Sequence, residues 1–356
     1  MDELNGLRKK IDEIDSEILR LLNRRAETVI SIGKIKENEN VRFHSPERER
    51  EILDRLEKLN TGPFPNSAIK SVYREILSAS LSLEQPLRVA YFGPKATFTH
   101  LAAMQQFGSS TEYIPEAGIK EVFDEVEREN VDYGVVPIEN STEGVVSYTL
   151  DMFIDSGLKI AAEIMLEVVH NLLSKMDRRD KIYKVYSNPQ AMAQCRRWVE
   201  NNLKNISIVE ASSTAKAAEM AADDPSSGAI ASELAAKIYG LNILERRIED
   251  NLNNYTRFLV ISKKYPGKSG KDKTSIMFSI KDRVGALYSI LRPFAEHQIN
   301  LTKIESRPSK RKAWEYFFFV DMNGHIEDED VRAAIDEVKD ECLFLKVLGS
   351  YPQASD

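Results

Sequence analysis

Residues 1–36 predict one unbroken helix whose apolar face the segment after it cannot cover. Apolar side chains recur there at steps of three and four, with no proline between them. They are Leu4, Leu7, Ile11, Ile14, Ile18, Leu21, Leu22, Val29, Ile32 and Ile35. A helix of this length extends about 50 Å, and two shorter helices cannot cover it within one compact unit. We therefore expect the apolar stripe to pack against a second copy of the chain.

The whole of residues 1–85 is predicted to be α-helical. Ser45-Pro46-Glu47 combines an N-cap residue, a proline at the first helical position and an acidic first turn, which predicts the start of a second helix. The stretch 61–66 contains a glycine and two prolines and ends that helix. A third helix is predicted from about residue 67 to residue 83, before Pro86.

Beyond Pro86 short apolar strands alternate with helical patterns, which is typical of an α/β fold. The predicted strands are 87–94 with its turn, 133–138, 182–187, 206–210, 228–231 and 258–262. A polar linker at 265–271 precedes strands at 274–280, 300–307, 314–322 and 343–348 and helices at 285–297 and 328–341. This βαββαβ order predicts a small ferredoxin-like α+β domain, so the fold class is multi-domain.

Charge and cysteine content exclude several classes of protein. The formal net charge is −7, so bulk attraction to nucleic acid is not expected and any anion site must be local. Cys195 and Cys342 lack metal-ligand spacing and build no disulfide framework, which fits a reducing cytoplasm. The acidic start does not resemble a signal peptide, and no apolar run approaches the roughly 20 residues of a membrane span. We expect a cytoplasmic protein that binds neither nucleic acid nor membrane.

Three cations on the first helix cannot all reach one small ligand. Lys36 lies eleven residues beyond Arg25, which is about 16 Å along the axis and nearly the same face. Arg8 lies seventeen residues before Arg25, about 25 Å away and roughly 100° round the helix. Taken alone, each is typical of a solvated helix charge. If Arg8 serves the same ligand, it must come from another chain.

Residues 1–85 resemble the all-helical chorismate mutases, which are intertwined dimers. The resemblance rests on Leu7-Arg8, Arg25, Lys36, Arg48-Glu49 and the end of the third helix. It implies that the partner's Arg8, together with Arg25, Lys36 and Arg48, binds the two carboxylates and the ether oxygen of chorismate, while Glu49 and Ser80 contact the hydroxyl and a carboxylate. Rearrangement to prephenate needs cations rather than a nucleophile, because the protein only folds the dianion and stabilises charge on the ether oxygen.

Two positions depart from some relatives in the mutase-like segment. Glu84 stands where some bacterial relatives carry glutamine, and a carboxyl donates to the ether oxygen only when it is protonated. We therefore expect mutase activity to fall as the pH rises. Ser45 falls where some relatives place a carboxylate, so it either contacts the ligand or serves only as an N-cap.

Residues 87–265 resemble prephenate dehydratase in five motifs that occur in the family's order. They are GPKATFTH at 93–100, VPIENSTEG at 136–144, SNPQ at 187–190, SSTA at 212–215 and NYTRF at 254–258. The resemblance implies two α/β lobes around a cleft, like a periplasmic binding protein. Prephenate carries two carboxylates, which hydroxyls and amides at strand ends and helix N-termini can bind. The expected groups, each alone more typical of a helix cap, are Asn140, Ser141, Thr142, Gln190, Ser212, Ser213 and Thr214.

The dehydratase step expels CO2 and the ring hydroxyl, so it needs a hydrogen-bond donor at the leaving oxygen. The resemblance gives this role to Thr256. Because side chains of an extended segment alternate between faces, Phe258 should point with Thr256 into the substrate site and Arg257 away. We expect Arg257 to orient substrate or to bridge the lobes. Residues 93–94 and His100 are expected to serve in turns and packing.

Residues 272–352 resemble an ACT domain of the phenylalanine-binding type, although a purely structural ferredoxin-like module remains the alternative. The resemblance rests on Gly285-Ala286-Leu287 and Glu305-Ser306-Arg307-Pro308. It implies that L-phenylalanine binds at these residues, between two subunits, with the effector carboxylate at the backbone N–H groups of a helix start.

The three segments together predict a bifunctional enzyme that converts chorismate to prephenate and then to phenylpyruvate, with feedback by phenylalanine. A mutase joined to the tyrosine branch would need a Gly-x-Gly-x-x-Gly after a strand, and the sequence has none. A non-catalytic amino-acid sensor on the same domains is the alternative from another class. We expect no metal or organic cofactor, because neither reaction needs one. A homodimer is expected, and pairing of dimers into a tetramer is left open.

Overall fold

The computed structural model describes residues 1–39, 44, 46–204, 206–281, 283–308 and 316–354. It divides into two compact units. One unit comprises Met1–Arg88 and Phe107–Glu112, and the other comprises Val89–Gln106 and Tyr113–Asp356. Within the described ranges, no helix is both long and apolar enough to cross a membrane.

The first unit is built on three helices, as the sequence predicts: α1 (Asp2–Glu39), α2 (Pro46–Leu59) and α3 (Asn66–Glu84). The apolar face of α1 stays uncovered in the single chain, since Leu7 is 53% exposed and Ile11 and Ile14 are each 57% exposed. Ser45, predicted as an N-cap and a ligand contact, lies outside the described residues.

From residue 88 the chain alternates strands and helices. In chain order they are β1 (Arg88–Phe92), α4 (Phe98–Phe107), β2 (Glu112–Glu116), α5 (Ile119–Glu127), β3 (Tyr133–Asn140), β4 (Gly144–Val145), α6 (Ser147–Asp155), β5 (Lys159–Glu167), β6 (Asn171–Ser174), β7 (Lys184–Ser187), α7 (Pro189–Gln194), α8 (Arg196–Asn202), β8 (Ser207–Glu210), α9 (Thr214–Asp223), β9 (Ser227–Ala231), α10 (Glu233–Tyr239), β10 (Asn242–Glu245) and β11 (Tyr255–Ser262). A short 3-10 turn at Arg179–Lys181 precedes β7.

These strands form two mixed sheets, which confirms the two-lobed α/β prediction. The first sheet has the order β2-β1-β3-β11-β5, with β4 paired to β3, and the second has the order β10-β6-β9-β7-β8. The chain leaves the first lobe after β5 and returns to it with β11, which runs antiparallel to both β3 and β5. The ends of β3 and β11 therefore meet where the two lobes join.

The last segment forms the predicted ferredoxin-like domain. Its elements are β12 (Asp272–Ile280), α11 (Ala286–Glu296), β13 (Leu301–Pro308), β14 (Tyr316–Asn323), α12 (Glu329–Glu341) and β15 (Cys342–Pro352). The sheet order is β13-β14-β12-β15, with every pair antiparallel. Two helices cover one face of this sheet through a core that includes Ile290, Phe294 and Ile335.

The other face of the ferredoxin-like sheet packs on the first lobe. A single buried core joins Ile160 and Leu259 of the first sheet to Met277, Phe319 and Leu348 of the ferredoxin-like sheet. The two sheets come into close contact at Gly349 of β15, where an added Cβ would overlap the backbone of Ile160 in β5. These two parts of the second unit therefore share one hydrophobic core.

Substitution of Gly349 by alanine should destabilise this packing, because the obstacle is backbone that cannot rotate away. We expect a loss of about 1–3 kcal/mol in the free energy of unfolding, the usual size of an overpacking penalty. Thermal unfolding measures the change. Gly157→Ala is the matched control, because a Cβ there meets nothing within 4 Å. Equal melting of the two variants would show that the sheets do not approach this closely.

Candidate functional sites

The facing sides of α1 and α3 bring together four of the residues predicted for the mutase-like site. Arg25 Nη1 donates to Ser80 Oγ, and Lys36 Nζ lies 3.0 Å from Glu84 Oε2. The absence of a side chain at Gly33 allows this approach, since a Cβ there would lie 3.1 Å from Glu84 Cγ. In this cluster the Glu84 carboxylate accepts a hydrogen bond from Lys36.

Three other predicted mutase residues make contacts of a different kind or lie elsewhere on α1. Arg48 Nη1 donates to Glu51 Oε2 at 2.8 Å, and Glu49 Oε1 lies 3.4 Å from His44 Nε2. Arg8 stands on the same unbroken helix as Arg25, so the two are about 25 Å apart along its axis. One chain therefore cannot bring Arg8 to the pair formed by Arg25 and Ser80.

Asn140 is the centre of the dehydratase-like site. Its Oδ1 accepts hydrogen bonds from the backbone N–H groups of Thr142 at 3.0 Å and Glu143 at 3.1 Å, and from the Thr142 hydroxyl at 2.6 Å. These donors fix the orientation of the amide, so its Nδ2 must face the other way. That nitrogen donates to Thr256 Oγ1 at 2.8 Å and to Asn254 Oδ1 at 2.9 Å.

The Asn140 contact determines what the Thr256 hydroxyl can do. Because Thr256 Oγ1 accepts the amide hydrogen of Asn140, its own hydrogen is free to be donated to another group. The two residues face each other in register at the ends of β3 and β11, and Thr256 is partly exposed. The arrangement suits donation of a hydrogen bond or a proton to the leaving oxygen of a substrate.

Three residues not predicted from the sequence extend this network. Asn254 Nδ2 donates to Gln194 Oε1 at 3.0 Å, and His170 Nε2 lies 2.9 Å from the same oxygen. Gln194 ends α7 in the second lobe, so the network connects both lobes. Burial lowers the pKa of His170, against the opposing effects of Gln194 and Glu249, so the imidazole is neutral near pH 7. Asn254 belongs to the NYTRF motif, which was the one available signal in the sequence.

Two of the other predicted prephenate contacts, Ser141 and Ser213, hold a turn and a helix start in the structure. Ser141 Oγ accepts from the backbone N–H of Tyr255 and donates to the carbonyl of Asn253. Ser213 Oγ caps α9 by accepting from Lys216 N at 3.0 Å. The remaining predicted contacts in the second lobe lie at or just before helix starts, with side chains that are exposed or partly exposed: Gln190, Ser212 and Thr214.

Arg257 points away from the cleft, as strand alternation predicts, but its expected role is corrected. Its guanidinium is bound by Glu163 at 2.8 Å, by Asp321 at 2.6 Å and by the Tyr351 hydroxyl at 3.1 Å. These groups belong to β5, β14 and β15, so Arg257 joins the first lobe to the ferredoxin-like domain. These contacts replace the predicted bridge between the two lobes, while a role of Arg257 in orienting substrate stays a prediction. Phe258, predicted to line the site, is buried at 2% exposure.

The predicted effector site has the expected helix start. Gly285 adopts a left-handed conformation with φ of 79°, and α11 begins at Ala286 directly after it. A glycine cannot cap its helix with a side chain, which suits the backbone N–H groups at this helix start for an external carboxylate. Ala286 is buried, and Leu287 is 38% exposed.

The second effector motif lies on β13, where exposure alternates along the strand. Ser306 is exposed, whereas Glu305 and Arg307 lie on the less exposed face. Arg307 Nη2 donates to Asp151 Oδ1 of α6 at 3.0 Å. Its guanidinium is thus held against the first lobe, and the role of Arg307 as an effector contact stays a prediction.

Comparison with known proteins accounts for all three segments. Family models described as Chorismate mutase type II, Prephenate dehydratase and ACT domain match residues 7–85, 89–266 and 274–340. The bifunctional chorismate mutase/prephenate dehydratase of Aquifex aeolicus (strain VF5) is 56% identical over 358 residues, 99% of each chain. The chain belongs to this family.

Solved structures resemble the part of the chain beyond the mutase-like helices. A prephenate dehydratase from Arthrobacter aurescens in complex with L-Phe is 34% identical with a TM-score of 0.69, covering 75% of this chain and 90% of that chain. A structure described as GqqA, a novel type of quorum quenching acylase, is 27% identical with the same TM-score, covering 75% of this chain and 98% of that chain. Proteins with this fold thus have more than one named activity. The family of this chain is assigned from its sequence identity to the bifunctional enzyme over the whole chain.

The Lys36–Glu84 contact leads to a prediction about pH. A carboxyl must be protonated to donate to an ether oxygen, whereas an amide donates at any pH. We expect mutase kcat/KM of the wild type to fall as the pH is raised through the range in which the protein stays folded, and Glu84→Gln to flatten that profile. Steady-state assays with chorismate across this range measure it. If both proteins give the same profile, Glu84 is not the donor.

Proposed function

We propose that this chain rearranges chorismate to prephenate in its helical unit and converts prephenate to phenylpyruvate in its two-lobed part. The observation that carries the proposal is the Asn140–Thr256 pair, which presents a free hydroxyl hydrogen at the point where the two lobes meet. The whole-chain identity to bifunctional enzymes supports both activities. A non-catalytic sensor would have no need of this pair.

In the mutase step, the residues clustered on α1 and α3 bind the chorismate dianion and hold it in a folded conformation. Arg25 and Lys36 bind carboxylate and ether oxygens, and Ser80 orients Arg25. Negative charge builds on the ether oxygen as the C–O bond breaks, so a fixed cation stabilises the transition state more than the substrate. Arg48 and Glu49 complete the proposed site beside the polar end of chorismate.

In the dehydratase step, Thr256 donates its proton to the ring hydroxyl as the C–O bond breaks and water leaves, and the Thr256 oxygen regains a proton from solvent. The bond to the ring carboxylate breaks, its electrons enter the ring, and the carboxylate departs as CO2. Asn140 keeps Thr256 in the donating orientation. Amides and hydroxyls of both lobes bind the substrate carboxylates: those of Ser141 and Thr142 in the first, those of Gln190 and 212–214 in the second.

The same proposal assigns regulation, assembly and location. L-phenylalanine binds at Gly285–Leu287 and 305–306, which is supported by the L-Phe complex of the similar dehydratase. Two chains pair through the exposed apolar face of α1, and each supplies Arg8 to the other's mutase site. Residues 1–85, 87–265 and 272–352 act as mutase, dehydratase and regulatory domains of a cytoplasmic protein.

Replacement of Thr256 by alanine tests the dehydratase assignment. We expect dehydratase kcat to fall by at least about 100-fold, the usual minimum for loss of a general acid, with mutase kcat/KM unchanged. Phenylpyruvate formed from prephenate and prephenate formed from chorismate are measured separately. Thr256→Ser, which keeps the hydroxyl, should retain most of the activity. If a folded Thr256→Ala variant lost mutase and dehydratase activity equally, the assignment of Thr256 to the dehydratase reaction would be contradicted.

Mixing two inactive variants tests the shared mutase site. Arg8→Ala and Lys36→Ala should each abolish mutase activity alone. After the two are unfolded and refolded together, mixed dimers carry one site with both changes and one intact site, so about a quarter of the wild-type activity should return. Mixing Arg25→Ala with Lys36→Ala is the control, because both changes fall in the same half-site and no intact site forms. Return of mutase activity in the Arg25→Ala and Lys36→Ala mixture would refute a site shared between two chains. So would the absence of any return in the Arg8→Ala and Lys36→Ala mixture.

A further inference from the structure

The two central dehydratase residues each have a neighbour that faces the ferredoxin-like domain. Thr256 pairs with Asn140 across β11 and β3, and the next pair in register is Arg257 with Glu139. Asn140 and Thr256 bond to each other, whereas Arg257 and Glu139 contact residues of the ferredoxin-like sheet. Each strand end therefore carries one cleft residue and one residue directed at the regulatory domain.

Arg257 is held by a buried ionic cluster. Besides its bond to Asp321, it shares Glu163 with Lys273 of β12, whose Nζ lies 2.8 Å from both carboxylate oxygens. The side chains of Arg257, Glu163 and Asp321 are 10%, 3% and 11% exposed. Removing one partner from such a cluster leaves a buried charge uncompensated, which costs several times more than losing a surface pair.

Glu139 is held by a second ion pair, to Lys303 of β13. Lys303 Nζ lies 2.6 Å from Glu139 Oε2, and the lysine side chain is 15% exposed. A cavity of about 20 Å³ between the two sheets is lined by Arg257, Lys303 and Asp321 together. Residues of both ion pairs therefore line the same space between the two sheets.

We propose that the ferredoxin-like domain positions the dehydratase site through these two ion pairs, with Lys303 and Asp321 as its positioning residues. Lys303 fixes the end of β3 and Asp321 fixes the end of β11, which together set the 2.8 Å distance between Asn140 Nδ2 and Thr256 Oγ1. β13 also carries Ser306 of the proposed effector site, so a shift of this strand on effector binding acts on Lys303 and then on Glu139. The inference rests on the proposed dehydratase activity.

Lys303→Met in the full chain tests the proposal, with Asp151→Asn as the matched control. Asp151 also pairs with the inner face of β13, through Arg307, but it lies on α6 rather than on a strand of the site. We expect Lys303→Met to lower dehydratase kcat about tenfold with KM within twofold, because a small misplacement of a reacting group lowers the rate strongly. Asp151→Asn should change kcat less than twofold, and mutase activity should stay unchanged in both.

Two further measurements separate positioning from a general loss of structure. Glu139→Gln removes the same ion pair from the other side, so its effect on kcat should not add to that of Lys303→Met in the double variant. Lys303→Arg should restore at least half of the wild-type kcat. L-phenylalanine should inhibit Lys303→Met less than Asp151→Asn.

The outcomes are distinguishable from failure of the proposed function. A wild-type chain that forms no phenylpyruvate from prephenate would refute the dehydratase activity itself. If the wild type is active, equal kcat values for Lys303→Met and Asp151→Asn overturn the positioning role. Additive losses in the Glu139→Gln and Lys303→Met double variant also overturn it. A tenfold rise in KM of Lys303→Met at unchanged kcat overturns the positioning role as well.

Discussion

The buried charge of Arg257 is the constraint on which the second unit depends. Burial acts to lower the pKa of this guanidinium, but Tyr351, Asp321 and Glu163 raise it well above the ordinary value, so it stays charged. Because Arg257 is only 9% exposed, its charge must stay paired with other polar groups. These groups belong to β5, β14 and β15. The cluster therefore fixes the register between the first lobe and the ferredoxin-like sheet, which a hydrophobic core alone would specify less sharply.

Periodicity and motif order predicted most of the fold because those signals are local. The three helices of the first unit and the βαββαβ order of the last segment follow from spacing and turn residues. In the two-lobed part, β2, β4, β6 and β10 were missed, and so was β5. Burial explains the case of β5, because most side chains of Lys159–Glu167 are covered on both faces, so it lacks the apolar-polar alternation of a half-exposed strand. Strand β5 carries Glu163, and the partner of Arg257 was missed with it.

The candidate sites were predictable only where a motif names a residue. Strand alternation gave the direction of Arg257 correctly, but a direction does not reveal what covers that face. Gln194 lies 60 residues from Asn254, its hydrogen-bond partner, and such a contact depends on how the two lobes meet. The same limit applies to Arg307, whose partner Asp151 is 156 residues away.

The two proposed sites handle dianions by different means, and the chemistry explains the difference. In the mutase reaction both carboxylates keep their charge while the ether oxygen gains some, so cations such as Arg25 and Lys36 favour the transition state. In the dehydratase reaction one carboxylate must lose its charge and leave as CO2. A close cation there would stabilise the substrate more than the transition state and slow the reaction. In the proposed site, neutral groups such as the hydroxyl of Thr256 and the amide of Gln190 hold the substrate without that penalty. The strong charges Arg257 and Glu139 accordingly lie on the opposite face of the same strands, where they are bound to residues of the ferredoxin-like sheet and not to the proposed substrate site.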